Sequence, residues 1–246
     1  MSIACTLKDL DVVVLCGGMG KRLQKMVYDR PKCMADINGK PFLDILINYV
    51  AAFGFRRFIL CIGYMGDLIK QYFHDKGDIA DILFSEEREP LGTAGAIKKA
   101  APLIKSSPFL VMNGDSFCET DLLEFVDFHK KKDSASSMVV AKKIKHTDDY
   151  GFVRLDDQGL IASFNEKKRD DSENGYINSG IYIFEKDVLS KIPSGMKFSF
   201  EHDLFPALIK QKFYGYKTDG IFIDIGTAER YIEAKKIFNL RQKALL

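Results

Sequence analysis

No stretch of this 246-residue chain stays apolar for the roughly 20 residues needed to cross a bilayer. The opening MSIACTLKDL lacks the basic-then-apolar order of a secretory leader. A soluble, cytoplasmic protein with no membrane partner is therefore expected. Cysteine is sparse: Cys5, Cys16, Cys33, Cys61 and Cys118 are an odd number with no CxxC pair, which argues against a disulfide framework or a zinc knuckle. The histidines (His74, His129, His146 and His202) fit neither a metal spacing nor a triad. Excess charge is lacking too, since 36 basic residues against 34 acidic ones leave +2. That is not the broadly basic face of a nucleic-acid binder, and no nucleic-acid partner is expected. Internal repeats and low-complexity tracts are missing; residues 167–175 form the most polar run. With 46% hydrophobic residues and no linker, one domain over residues 1–246 is expected.

What positive charge there is gathers near the start. Val12, Val13, Val14 and Leu15 read as a buried strand that empties into a loop holding Gly17, Gly18 and Gly20. Glycines there let backbone N–H groups approach a phosphate. Residues 21–32 carry Lys21, Arg22, Lys25, Arg30 and Lys32 against Asp29 alone, five cations to one anion, a local net charge of +4. Such a stretch suits a polyanion. A P-loop is excluded because Leu15 stands five residues before Gly20 and Arg22, without a metal-holding hydroxyl, follows Lys21. A dinucleotide fingerprint fails where Leu23 replaces its third glycine.

Periodicity predicts helices over residues 42–53, 65–73, 93–104, 121–132, 201–210 and 228–238. Strands are predicted over 12–15, 57–62, 81–84 and 108–112, then in a shorter rhythm over 138–141, 151–155, 161–165, 176–184, 215–218 and 221–225. The alternation in the first half implies a parallel sheet. Ligands of such sheets lie beyond the strands' carboxyl ends, so Gly17, Gly20 and Asp115 should share one crevice. Asp115 and Asp224 both end predicted strands, at one sheet edge where a magnesium ion could bridge them. The expected division is a nucleotide-binding part over about 1–135, a part for a second substrate over about 136–226 and a closing helix over 227–246.

The strand, glycine loop and basic run resemble the signature of the sugar-phosphate nucleotidyltransferases, LxGGxGxRL followed by RPK. Leu15, Gly17, Gly18, Gly20, Arg22, Leu23, Arg30, Pro31 and Lys32 match it. Further matches follow in the family's order. Leu91-Gly92-Thr93-Ala94-Gly95 resembles the base and ribose loop, with Glu87 where the family has its base-reading side chain. Tyr150-Gly151 and Asn178-Ser179-Gly180 resemble sugar-pocket elements, and Glu166-Lys167 resembles the pair that grips the sugar and its phosphate. Asn113-Gly114-Asp115-Ser116 and residues 222–227 resemble the two metal-carrying motifs, with Phe222 in place of the family's tryptophan.

The resemblance implies a single-domain, Rossmann-like α/β fold, with a mainly parallel central sheet, helices on both faces and a smaller sugar-binding β subregion. It implies nucleotide contacts by Leu15, Gly17, Gly18, Gly20, Arg22, Lys32, Glu87, Gly92, Thr93 and Asp115, and sugar contacts by Gly151, Glu166, Lys167, Asn178 and Gly180. Arg22, Lys32 and Lys167 would be catalytic, and Asp115 and Asp224 would hold Mg2+. The expected substrates are a nucleoside triphosphate and a sugar 1-phosphate. Glu87 favours GTP, because guanine offers two adjacent donors to a carboxylate's two acceptors, whereas uracil and thymine offer one N–H between carbonyls. Within the family, the wording of residues 30–44 and 89–98 looks most like bacterial guanylyltransferases of D-glycero-D-manno-heptose 1-phosphate, with mannose 1-phosphate guanylyltransferases next. The left-handed β-helix domain of many relatives is missing, so no acetyltransferase or allosteric module is expected. A non-catalytic sugar-nucleotide sensor is the rival from another class; such proteins usually lose Arg22, Lys32 or a metal aspartate, and all are present here. Homo-oligomerisation stays open.

Overall fold

The computed structural model describes residues 7–76, 80–142, 150–166 and 175–244. Strand β1 (Asp11–Leu15) lies at its centre, and its side chains alternate as a pleat requires. Val12 and Val14 are buried on one face and Val13 on the other, so the strand is covered on both sides. A 3-10 turn at Lys32–Met34 leads into the hairpin of β2 (Asp36–Ile37) and β3 (Lys40–Pro41). Next come α1 (Phe42–Ala52), β4 (Arg57–Ile62), α2 (Gly66–Lys76), β5 (Asp81–Glu86), α3 (Gly92–Ala100) and β6 (Phe109–Asn113). They are followed by β7 (Ser116–Cys118), α4 (Leu122–Lys132), β8 (Ser136–Lys142), β9 (Gly151–Leu155), β10 (Ile161–Glu166) and β11 (Tyr176–Phe184). A π-helical turn at Phe200–Leu204 runs into α5 (Phe205–Ile209), and β12 (Phe213–Thr218), β13 (Phe222–Asp224) and α6 (Ala228–Ala244) follow.

The order β6-β1-β4-β5 is parallel throughout, with Val13 registered between Ile59 and Val111. This is the βαβ half expected from the alternating sequence pattern. At β6 the sheet changes sense, because β11 runs antiparallel to it. β11 then carries β9 and β10 along one edge and β8, followed by parallel β12, along the other. The second half is thus an extension of the same nine-stranded sheet. Helices α1, α2, α4 and α6 bury Phe42, Ile69, Phe125 and Phe238 with Val12 and Val14, while α3 and α5 bury Ile97 and Phe205 with Val13. Helices therefore cover both faces, as expected.

Some expected elements differ. The helix expected over 93–104 ends at Ala100 and tightens into a 3-10 turn containing Pro102, which lacks the N–H an α-helix would use. The helix expected over 201–210 is a π-turn followed by a short helix with Pro206 in its first turn, again where a missing N–H is tolerated. The closing helix runs to Ala244, six residues past 238, where its apolar periodicity stops, and within the 227–246 expected for it. The pairs β2–β3 and β7–β13 went unforeseen: β2, β3 and β7 are too short to carry readable alternation, and the strand expected over 221–225 is present as β13 but pairs with β7, about a hundred residues earlier in the chain. Among the described residues no helix is long and apolar enough to cross a membrane.

Candidate active site

The mouth of β1 opens into a cavity of about 450 Å³ lined by Leu15, Gly17, Gly18, Gly20 and Lys21 from the first loop. Arg22, Lys32, Glu87, Gly92, Thr93 and Asp115 close its other sides, so the residues expected to meet a nucleotide share one cavity. Pro31 is extended at φ −64°, ψ 150°, and sets Lys32 at the start of its 3-10 turn. The Lys32 Nζ donates to Asp115 Oδ2 at 2.6 Å, and Ser116 Oγ donates to Asp115 Oδ1 at 3.2 Å. Burial alone would raise the Asp115 pKa, but the Lys32 charge and these hydrogen bonds hold it below the usual carboxylate range. Arg30, which matched the basic motif, instead faces solvent and pairs with Asp29 at 2.7 Å.

Gly226 marks where the cations and carboxylates converge. A Cβ there would stand 2.5 Å from Asp224 Oδ1 and 3.6 Å from both Arg22 Nη2 and Lys32 Nζ. Only glycine leaves that space to a ligand.

At the opposite wall Glu87 separates from its acidic neighbours. Glu86 and Glu89 are exposed, and Glu86 binds Lys70 at 2.8 Å, whereas Glu87 is half-buried on the cavity wall. Its Oε2 accepts from the Leu91 N–H at 3.1 Å, which fixes the carboxylate ahead of α3. Burial raises its pKa; the Leu91 hydrogen bond and the Lys99 charge oppose the rise. The start of α3 is pinned from the far side: Gly95 N donates to Phe198 O at 3.0 Å and Phe200 N donates to Thr93 Oγ1 at 2.7 Å. Phe200 is anchored by Tyr182 and Phe205, at ring separations of 5.1 and 5.6 Å.

A second cavity of about 250 Å³ adjoins the first and shares Arg22, Lys32, Asn113 and Asp115 with it. Gly151, Asn178 and Asp224 line it, together with Tyr150, Phe164, Glu201 and Arg230. A Cβ at Gly151 would stand 2.3 Å from the Phe164 ring, so glycine lets that ring form the wall. Asp224 is not at an end of the main sheet, as had been expected. It ends β13, which pairs with β7 in a separate two-stranded ribbon, with Asp224 opposite Ser116. That ribbon is what brings Asp224 to Asp115.

Two expected sugar contacts have other partners. The Asn178 amide donates to the Tyr182 hydroxyl at 2.7 Å and accepts from Gly180 N at 2.9 Å, holding the irregular stretch of β11. Gly180, at φ +78°, lies behind Asn113, whose Nδ2 would be 2.6 Å from a Cβ there. Gly180 thus seats a cavity residue and does not line the wall itself. Glu166 ends β10 opposite Gly151; its side chain, and all of Lys167, lie outside the described residues.

Sequence reasoning passed over Arg230 and noted Tyr150 only as a neighbour of Gly151. Tyr150 donates its hydroxyl to Asp224 Oδ2, and Arg230 Nη1 lies 3.3 Å from that same oxygen. Arg230 had no local signal, because it sits among charged residues in the first turn of a helix.

A family model described as nucleotidyl transferase matches residues 11–239. The chain is 38% identical over 222 residues to D-glycero-alpha-D-manno-heptose 1-phosphate guanylyltransferase of Campylobacter jejuni, covering 90% of this chain and 97% of that protein. It is 33% identical over 227 residues to mannose-1-phosphate guanylyltransferase of Mycobacterium tuberculosis, covering 91% of this chain and 63% of that one. The crystal structure of HddC from Yersinia pseudotuberculosis superposes with a TM-score of 0.83 at 37% identity, over 93% of this chain and 99% of that one. A second structure of HddC, complexed with GMP-PN, superposes at 0.82.

Proposed function

The chain belongs to the nucleotidyl transferase family, and on that footing we propose that it transfers the guanylyl group of GTP to D-glycero-α-D-manno-heptose 1-phosphate, releasing pyrophosphate. The observation that carries this reading is the joining of two cavities across Arg22, Lys32 and Asp115, one lined by the glycine loop and Glu87, the other by Gly151 and Asp224. Full-length similarity to the heptose 1-phosphate enzyme of Campylobacter jejuni supports the sugar. The HddC complex with GMP-PN, together with the half-buried Glu87, supports the base.

The reaction joins two anions. An oxygen of the sugar phosphate forms a bond to the α-phosphorus of GTP while the bond from that phosphorus to the bridging oxygen of the β-phosphate breaks, and pyrophosphate carries away the electron pair. No enzyme nucleophile is needed. Catalysis therefore rests on screening the repulsion and on alignment. Arg22 and Lys32, placed where the cavities meet, would screen both phosphate groups. Backbone N–H groups of the glycine loop would receive the leaving pyrophosphate. By the family resemblance, Lys167 would hold the sugar phosphate and Glu166 the sugar hydroxyls.

Asp115 and Asp224 suit a magnesium ion, because both line one cavity and offer hard oxygen donors. Glu201 lines the same cavity, but among the described residues no group of three or more carboxylates, imidazoles or thiols is placed to hold a metal ion; magnesium commonly takes one or two carboxylates and completes its shell with phosphate oxygens and water. When bound it would neutralise charge building on the phosphate oxygens. Cytoplasmic localisation and a role in surface polysaccharide synthesis are part of the same proposal. Pyrophosphate release from GTP in the presence of magnesium and heptose 1-phosphate tests it; no release with heptose, mannose or glucose 1-phosphate would refute it.

A further inference from the structure

Arg230 stands in the first turn of α6, six residues past Asp224, and its guanidinium is held from two directions. Its Cζ lies 4.4 Å from the centroid of the Tyr150 ring. Its Nη1 lies 3.3 Å from Asp224 Oδ2 and 3.5 Å from Oδ1. The same carboxylate accepts the Tyr150 hydroxyl on Oδ2 and the Gly226 N–H on Oδ1, the latter at 2.6 Å. Arg230 is only 19% exposed, and it lines the smaller cavity with Lys32 and Asp115.

Both carboxylates proposed to hold metal are thus neutralised in advance, Asp115 by Lys32 and Asp224 by Arg230. A divalent cation approaching the free protein meets two positive charges already seated on its ligands. An arginine fork also matches phosphate oxygens as well as it matches a carboxylate. Stacking on Tyr150 holds the guanidinium over the ring without fixing which anion lies at its edge.

We propose that Arg230 exchanges partners: in the free protein it neutralises Asp224, and when the sugar 1-phosphate enters it moves onto the phosphate, freeing Asp224 for a divalent cation. This rests on the reading of the site as a sugar 1-phosphate nucleotidyltransferase. Metal and sugar phosphate then favour each other's binding, by the reciprocity any such coupling obeys. Arg230 also gives the cavity a phosphate contact that does not depend on Lys167.

The test begins without substrates. Mn2+ is titrated into the protein and the free ion is read by electron paramagnetic resonance. Arg230→Gln is expected to bind Mn2+ about tenfold more tightly than wild type, and Arg230→Lys, which keeps the charge, to stay near wild type. Arg230→Met, which keeps the packing of the stem, carries the same expectation as Arg230→Gln and replaces it if that variant does not fold. In kinetics with GTP and heptose 1-phosphate, Arg230→Gln should raise the KM for the sugar phosphate about tenfold to a hundredfold, with the KM for GTP nearly unchanged. A role confined to packing α6 would leave Mn2+ binding unchanged or weaken it, and either result in the folded variants overturns the exchange. If the wild type makes no sugar nucleotide while the Mn2+ result is as expected, the functional reading falls and the Arg230–Asp224 pairing stands.

Discussion

The carboxylate of Glu87 lies directly against the backbone of Gly17: a Cβ at position 17 would stand 2.6 Å from Glu87 Oε1. The base-reading candidate and the phosphate loop are therefore packed against each other, and glycine at 17 is what lets the carboxylate seat. Glu87→Gln is predicted to weaken GTP use relative to UTP and dTTP, since an amide presents a donor where guanine already has donors. Leaving such groups mispaired costs about 1 to 3 kcal/mol, or roughly one to two decades in relative kcat/KM. Kinetics with four nucleoside triphosphates measure this; an unchanged ranking would remove Glu87 from base recognition.

A pH dependence follows from the same carboxylate. Burial raises the Glu87 pKa, so this group takes up a proton at a higher pH than an ordinary glutamate. Guanine needs the ionised form, so the preference is complete above that pKa and is lost as pH falls through it. The ratio of kcat/KM for GTP over UTP, which cancels titration of the sugar phosphate, should decline as the medium is acidified, and should begin to do so at a higher pH than an ordinary glutamate would impose. In Glu87→Gln the ratio should be flat; parallel declines in both proteins would contradict the assignment.

Asp115→Asn and Asp224→Asn are each predicted to lower turnover by about 10²-fold or more while far-UV circular dichroism stays that of the wild type. Each removes one charged oxygen donor from the shared cavity without changing side-chain volume. A variant keeping a tenth or more of wild-type turnover would remove that residue from the metal site.

Much of the parallel half was legible because its signals are local. The Val12-Val13-Val14 run, the strand over 57–62 and the helices between them are each read from a short window, and the chain alternates between the two types. The cavity around Leu15, Gly17, Lys32 and Asp115 then follows from where parallel strands end. What stayed hidden depends on distant pairing. Asp224 reaches Asp115 because β13, legible as the strand over 221–225, pairs with the three-residue β7, which is too short to show a period. Arg230 reaches the cavity only because α6 begins beside that ribbon. Asn178 and Gly180 were read as ligand contacts, yet they first serve the irregular stretch of β11 that seats Asn113, a requirement visible only once the strand pairing is known.

The most direct test is a single competition. Equal amounts of GTP, UTP, dTTP and CTP are supplied with magnesium and equal amounts of heptose, mannose and glucose 1-phosphates, and the sugar nucleotides formed are identified by mass spectrometry. The predicted main product is GDP-D-glycero-α-D-manno-heptose, with pyrophosphate released in equal amount. A main product carrying uridine, thymidine or cytidine, one carrying GDP on mannose or glucose, or no sugar nucleotide at all, would contradict it.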